Sequence, residues 1–429
     1  MRHLSNLQFT NEKNFMSLQF QKFTLDNGLR VIYHEDKSTP LVCMNILYDV
    51  GARDEDSNRT GFAHLFEHLM FGGSVNIPSY DEPLQRVGGE NNAFTSNDIT
   101  NYYLTVPTAN LETAFWLESD RMLSLAFSEK SFEVQRNVVI EEFKQRYLNQ
   151  PYGDIWLLMR PMVYKVHPYL WDTIGKDISH IAEAKMEDVK AFFKKFYCPN
   201  NAIMVLAGNT TLEEVKRLAE KWFAPIPKGP DNKRNLPAEP EQKEFRSLTV
   251  EREVPFNAIY QTYRMCSRKD KEFYAVDLLS DILSDGNSSR LYNELVKNKK
   301  MFSELSAYAD DSMDKGMFVI SGKVLDGFTL EQAEKAIAEE LDKLKMEKVQ
   351  EKELQKVQNK IEATLEFSEM NIMNKALNFA IAELLGDADY VNHEAEKYLA
   401  VTTEQIQQQA KQIFRKENCS TLYYLAKNN

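Results

Sequence analysis

The pentapeptide His64-Leu65-Phe66-Glu67-His68 combines residue types and a spacing that can do chemistry. On a helix, positions i and i+4 share a face, so both imidazoles can reach one metal ion. Glu67 lies between them near the same face and can set its carboxylate beside a water without being a ligand. Two neutral nitrogens, an open position for water and a base to take its proton are what a zinc hydrolase needs. The order H-x-x-E-H is the inverse of the H-E-x-x-H zinc-binding motif. A catalytic zinc takes three protein ligands, and a carboxylate from another helix is the natural third. The stretch Gln135-Arg136-Asn137-Val138-Val139-Ile140-Glu141-Glu142 offers two. Helical neighbours differ by about 100°, so only one points inward. Val138 and Val139 flank both faces, and the residues alone leave the choice open.

The elements that must position these side chains follow from pattern. Leu25-Asp26-Asn27-Gly28-Leu29 is a tight-turn signal. Residues 29–34 and 41–50 read as strands. A helix beginning near Thr60 carries His64, and Gly72-Gly73 fits its glycine stop. Ser79 is the expected cap of a helix over 80–87. Residues 92–95 and 100–106 are β-branched and aromatic, hence strands; 111–124 and 129–148 read as long helices, 186–197 as another, and 202–207 as a buried strand. Pro225, Pro227, Pro230, Pro237 and Pro240 then interrupt the pattern. They mark a linker over 225–244 between domains at 16–224 and 245–429. The second part repeats the order of the first, with a strand at 258–264, a helix at 273–283 and a strand at 419–425. Asp277 to Leu283 lies over His64 to Met70 with apolar positions matched and chemical ones lost, as a duplicated plan with chemistry in one half requires.

Composition narrows the partners. The formal net charge of −12 repels nucleic acid in the absence of a long basic block, and 297–300 reads as a solvated helix end. Cys43, Cys198, Cys266 and Cys419 form no C-x-x-C pair. They read as reduced thiols of a cytoplasmic protein, not a cysteine zinc site. Residues 1–15 carry no apolar leader, and no apolar run is long enough to span a membrane, so neither a secretory signal nor a membrane partner is expected.

Gly61-Phe62-Ala63-His64-Leu65-Phe66-Glu67-His68-Leu69-Met70-Phe71-Gly72-Gly73 resembles the signature of the pitrilysin/insulinase family of zinc peptidases, the inverzincins, which include mitochondrial processing peptidases. Asn137-Val138-Val139-Ile140-Glu141-Glu142 resembles it too, as do 25–31, 88–103, 197–208 and 289–292. The resemblance implies an α+β fold of two homologous α/β domains in tandem. Each would have a mixed, largely antiparallel sheet with helices packed on it, and together they would form half of a clamshell. It also implies a zinc metalloendopeptidase that cuts peptides or unfolded segments inside a closed chamber, with His64, His68 and Glu142 holding Zn2+ and Glu67 as the base. Residues 89–95 would be the substrate-binding edge strand, with Asn92 and Ala93 nearest the scissile bond.

Two departures stand out. Gln135 replaces a family Glu two turns before the third ligand, where a neutral amide can hydrogen-bond beneath the ligands but adds no charge. Val296 and Ser303 stand where the family has an Arg and a Tyr that contact substrate; neither donates a cationic or phenolic hydrogen bond. A homologous second subunit supplying Arg and Tyr is therefore expected, making this chain the zinc subunit of a heterodimer. The rival readings are a non-catalytic structural or assembly subunit of such a complex and a zinc hydrolase of non-peptide substrates. Phe71 and Phe94 read as core, His34, His167 and His180 as structural, and Asp54, Glu55 and Asp56 as a solvated loop.

Overall fold

A computed structural model describes residues 17–427; the segment 1–15 read for a leader lies outside the described residues. Strands β1 (Gln21–Thr24), β2 (Arg30–Glu35), β3 (Leu41–Tyr48), β4 (Glu90–Thr95), β5 (Thr100–Pro107) and β6 (Ala202–Gly208) form a six-stranded sheet in the order β1-β2-β6-β3-β5-β4. Every pairing is antiparallel except β2 with β6. Strands β7 (Arg246–Arg252), β8 (Ala258–Arg264), β9 (Phe302–Ala309), β10 (Met317–Val324) and β11 (Cys419–Ala426) form a second sheet in the order β7-β11-β8-β10-β9. It too has one parallel pair, β7 with β11. The late strands β6 and β11 thus insert at equivalent places in two equivalent sheets, as the duplicated pattern requires. The fold is two α/β domains in tandem.

One face of the first sheet carries the helix Phe62–Leu69, the motif helix, and the helix Glu129–Phe143. The other face is covered from the far end of the chain. Ala376, Phe379 and Ala380 of helix Ile372–Leu385 pack on Ile32, Cys43, Leu47, Ile203 and Val205. The exchange is reciprocal: Ile155 and Met159 of helix Ile155–Val163 pack on Ala258, Leu422 and Tyr424 of the second sheet. Both sheet faces are therefore dry, which is why β6 is buried at every residue and reads as a continuous apolar run. Sequence order alone hides this crossing, because each exchanged helix lies outside the domain whose sheet it covers.

The proline-rich stretch has neither helix nor strand between Phe223 and Phe245. It is pinned, not loose: Arg234 bonds Asp49 and Asp54 at 2.7 Å each. The helix expected at 80–87 is shorter, Asp81–Arg86, and Ser79 does not cap it. Tyr80 holds the cap position, and its ring turns inward beneath the Arg121 guanidinium, 4.6 Å away. Asp81 and Glu82 supply the negative charge that suits a first turn.

Candidate metal centre

The motif helix is only eight residues long and starts at Gly61, whose φ of +89° suits a residue without a side chain. No cap side chain serves it locally. Glu55 does so from the preceding loop. Its Oε2 accepts from the Gly61 N–H at 2.9 Å and its Oε1 from the Ala63 N–H at 2.8 Å. The indole of Trp171 donates to Oε2 at 3.0 Å and to the Ala52 carbonyl at 2.9 Å. Glu55 is 8% exposed, so the expected solvated loop is corrected here: Glu55 is a buried cap, and Asp54 is tied to Arg234. Burial pushes the Glu55 carboxyl up to about 8, against the pull of its three N–H donors. At the other end the helix stops at Leu69, and Gly73, at φ +90°, turns the chain away.

Leu65, Phe66 and Leu69 anchor the motif helix in the core, and His64, Glu67 and His68 occupy its other side. The helix Glu129–Phe143 lies against it. Ser128 caps that helix, its Oγ accepting from the Ser131 N–H at 3.0 Å. Phe132, Val139 and Phe143 are its buried residues. With Val139 inward and Val138 exposed, Glu142 falls on the inner face. Glu141 points to solvent and pairs with Lys144 at 2.6 Å.

His64 Nε2 and His68 Nε2 lie 3.7 and 3.5 Å from Glu142 Oε2. The three candidate ligand atoms are all within 4.8 Å of one another, and this is the one such cluster among the described residues. A tetrahedral site with arms of about 2.0–2.1 Å has donor separations near 3.3 Å, so two imidazoles and a carboxylate at these distances fit a zinc ion with small adjustment. Burial, and next the neighbouring His68, push His64 down to about 4, which keeps its imidazole neutral and free to ligate. The facing His68 is the chief influence holding the Glu142 carboxyl below its ordinary value.

Glu67 is not one of the three. Its Oε2 accepts from Thr95 Oγ1 at 2.6 Å, and burial raises its carboxyl against that bond. Thr95 ends β4, which pairs only with β5, so its outer edge is open among the described residues. Asn92 is exposed on this strand and Ala93 packs toward the first core. Gln135 is half-buried on the face of Glu142 and makes no side-chain hydrogen bond among the described residues. Val296 is half-buried in the π-helical turn Tyr292–Asn298 of the second domain, and Ser303 is exposed at the start of β9. Phe71 packs on Tyr80 and Tyr102, and Phe94 faces the opposite core. His34, His167 and His180 bond Gln19 O, the Tyr169 N–H and Thr60. The counterpart of the motif helix, Phe273–Ser284, packs on β9 and carries Asp277, which accepts from Tyr398 at 2.6 Å.

Three polar residues at the site escape the pattern reading: Glu55, Thr95 and Arg146. Arg146 Nη1 bonds the second oxygen of Glu142 at 2.8 Å from the π-helical turn Lys144–Leu148. Its spacing of four from Glu142 was the available signal. Glu55 and Thr95 act across loops and leave no periodic trace.

Residues 30–152 match the family model described as insulinase, peptidase family M16, and residues 184–361 that described as peptidase M16 inactive domain. The chain is 32% identical over 345 residues to zinc protease PqqE of Helicobacter pylori, covering 79% of this chain and 77% of that protein. It is 24% identical to zinc protease YmxG of Bacillus subtilis, covering 92% and 96%. The crystal structure of a protease from Helicobacter pylori superposes with a TM-score of 0.89 at 28% identity, covering 95% of this chain and all of that one.

Proposed function

Because the chain belongs to the insulinase (M16) peptidase family, we propose that it is a zinc-dependent endopeptidase acting on peptides or unfolded segments. In this reading it is the catalytic subunit of a heterodimer whose two half-clamshells close on a chamber. The observation that carries the reading is the meeting of His64, His68 and Glu142 beside a separate carboxylate, Glu67. Zinc, when bound, supplies Lewis-acid polarisation of the scissile carbonyl and of the attacking water. Glu67 takes the proton of that water and returns it to the leaving amine. Thr95 holds one oxygen of Glu67 and leaves the other for the proton. The open edge of β4 pairs with an extended substrate at Asn92 and Ala93, so recognition is mainly by backbone and the sequence demand is weak. Gln135 lies two turns before Glu142 on the same helix face and adds no charge there.

Val296 and Ser303 offer no cation or phenol for the developing oxyanion, and a homologous partner supplies them. The four free cysteines, three of them buried, favour a reducing, cytoplasmic setting. No described helix is long and apolar enough to cross a membrane. The test is hydrolysis of a quenched, unstructured peptide by the zinc-loaded chain, beside a Val296→Arg, Ser303→Tyr double variant. A rise in kcat/KM in the double variant supports the division of labour; full activity of the unaltered chain and none gained in the variant removes the need for a partner.

A further inference from the structure

The supports of the site do not end in the first domain. Glu55 holds the motif helix, and Thr95 holds Glu67. The two supports form one unit, because the N–H groups of Ala52 and Arg53 donate to the carbonyls of Ser96 (3.2 Å) and Asn97 (2.9 Å) in the β4–β5 turn. Asp98, in that turn, is 7% exposed. It accepts from Arg53 Nη1 at 2.7 Å, from the Tyr169 hydroxyl at 2.5 Å and from the Met313 N–H at 3.0 Å. Met313 and Asp314 belong to the loop between β9 and β10, in the second domain. Asp314 Oδ2 also accepts from Arg53 Nη1, at 2.9 Å, and the Asp314 N–H donates to the Tyr169 hydroxyl at 3.0 Å. His167 Nε2 lies 3.4 Å from the same carboxylate oxygen.

A guanidinium 4% exposed and shared between carboxylates of two domains has a directional geometry that a greasy contact lacks. Arg53 and Asp98 are the buried pair, and Asp314, whose side chain is 41% exposed, adds a screened arm from the second domain whose worth lies in its direction more than in its strength. We propose that Arg53, Asp98, Tyr169 and Asp314 form a positioning device through which the second domain, which has no metal motif of its own, fixes the motif helix and Glu67 in the first. Asp314 is the positioning residue contributed by the second domain. The catalytic consequence rests on the peptidase reading; the mechanical one does not.

The experiment uses the full chain with Asp314→Ala, Asp314→Glu and Tyr169→Phe, the last removing a single hydroxyl should the first fail to fold. Amide hydrogen exchange is read over 61–68 and 92–99, with zinc content and steady-state kinetics on the quenched peptide. Exchange in both segments is expected to quicken roughly tenfold in Asp314→Ala. A fall of kcat on the order of tenfold to a hundredfold is expected from a misplaced base, with KM and zinc content held and partial rescue by Asp314→Glu. Faster exchange confined to 310–316 with kcat unchanged overturns the proposal and leaves a simple domain contact. If the parent chain alone cleaves no peptide, as the missing donors at Val296 and Ser303 would cause, the kinetic arm is read on the Val296→Arg, Ser303→Tyr background; no cleavage there fails the peptidase reading, while the exchange arm still decides whether the knot holds the site.

Discussion

Replacing Glu55 by Ala strips the motif helix of its cap. Two buried N–H groups, those of Gly61 and Ala63, lose their acceptor, while the Trp171 indole retains the Ala52 carbonyl. A buried donor left unpaired costs about 1–3 kcal/mol, so the loss sums to about 2–6 kcal/mol if the loop stays closed. Water entry lowers it toward the value of about 0.5–2 kcal/mol for an ordinary cap deletion. A loss of about 2–4 kcal/mol is expected in urea unfolding of the metal-free chain. Glu55→Gln keeps one oxygen and should lose about half as much. Where the damage stays local, zinc binding must reorder the helix, and each 1.4 kcal/mol weakens zinc about tenfold in competition with a chromophoric chelator. Stability within about 0.5 kcal/mol of the parent, with unchanged zinc affinity, refutes the cap as the support of the metal helix.

Three further expectations follow from the same geometry. Glu142→Gln should weaken zinc by more than the roughly 10–100-fold lost with an outer partner, while Glu141→Gln, one residue away on the solvent side, leaves it unchanged; metal analysis after dialysis separates them. Arg146 is 69% exposed, so Arg146→Ala should change zinc affinity by no more than the worth of a surface pair, about 0–1 kcal/mol, and a hundredfold effect in chelator competition would give it a larger role. Asp36 and Lys375 join the first sheet to the helix Ile372–Leu385 at 2.6 Å. Burial acts to raise the Asp36 carboxyl, but Lys375 and Ser38 outweigh it and hold it well below its ordinary value. A depressed folded-state carboxyl contributes stability that is present above its unfolded value, near 4, and lost as pH falls through the folded one. Asp36→Asn should therefore lower the urea midpoint at pH 6, and the gap should narrow as the medium is taken below pH 4.

What the sequence disclosed was what periodicity records. The pair His64 and His68 is legible because i and i+4 share a helix face; Glu142 was set above Glu141 only by its resemblance to the family's third ligand, and in the structure it sits three residues after Val139 on the buried side. Period alone could not rank Val138 against Val139; the packing of Phe132 and Phe143 against the motif helix does that. The strand Ala202–Gly208 was legible because it is buried on both faces. The second layer was not: helix Ile372–Leu385 covers a sheet whose strands lie between Gln21 and Gly208, and nothing local says which sheet. Glu55 looked like a solvated loop beside Asp54 and Asp56, since three acids in a row carry the same composition signal whether they face water or a helix N-terminus. Thr95 is a good strand residue for its shape, and its hydroxyl partner is fixed only by how β4 lies on the motif helix.

The most direct test of the central claim pairs zinc stoichiometry with cleavage of a quenched peptide, for the parent chain and Glu67→Gln. One zinc per chain is expected in both, and on the Val296→Arg, Ser303→Tyr background, where the missing donors are restored, Glu67→Gln should lose at least about a hundredfold in activity, the size of a general-base contribution. Equal cleavage with and without Glu67→Gln on that background, or a chain that takes up no zinc, contradicts the claim.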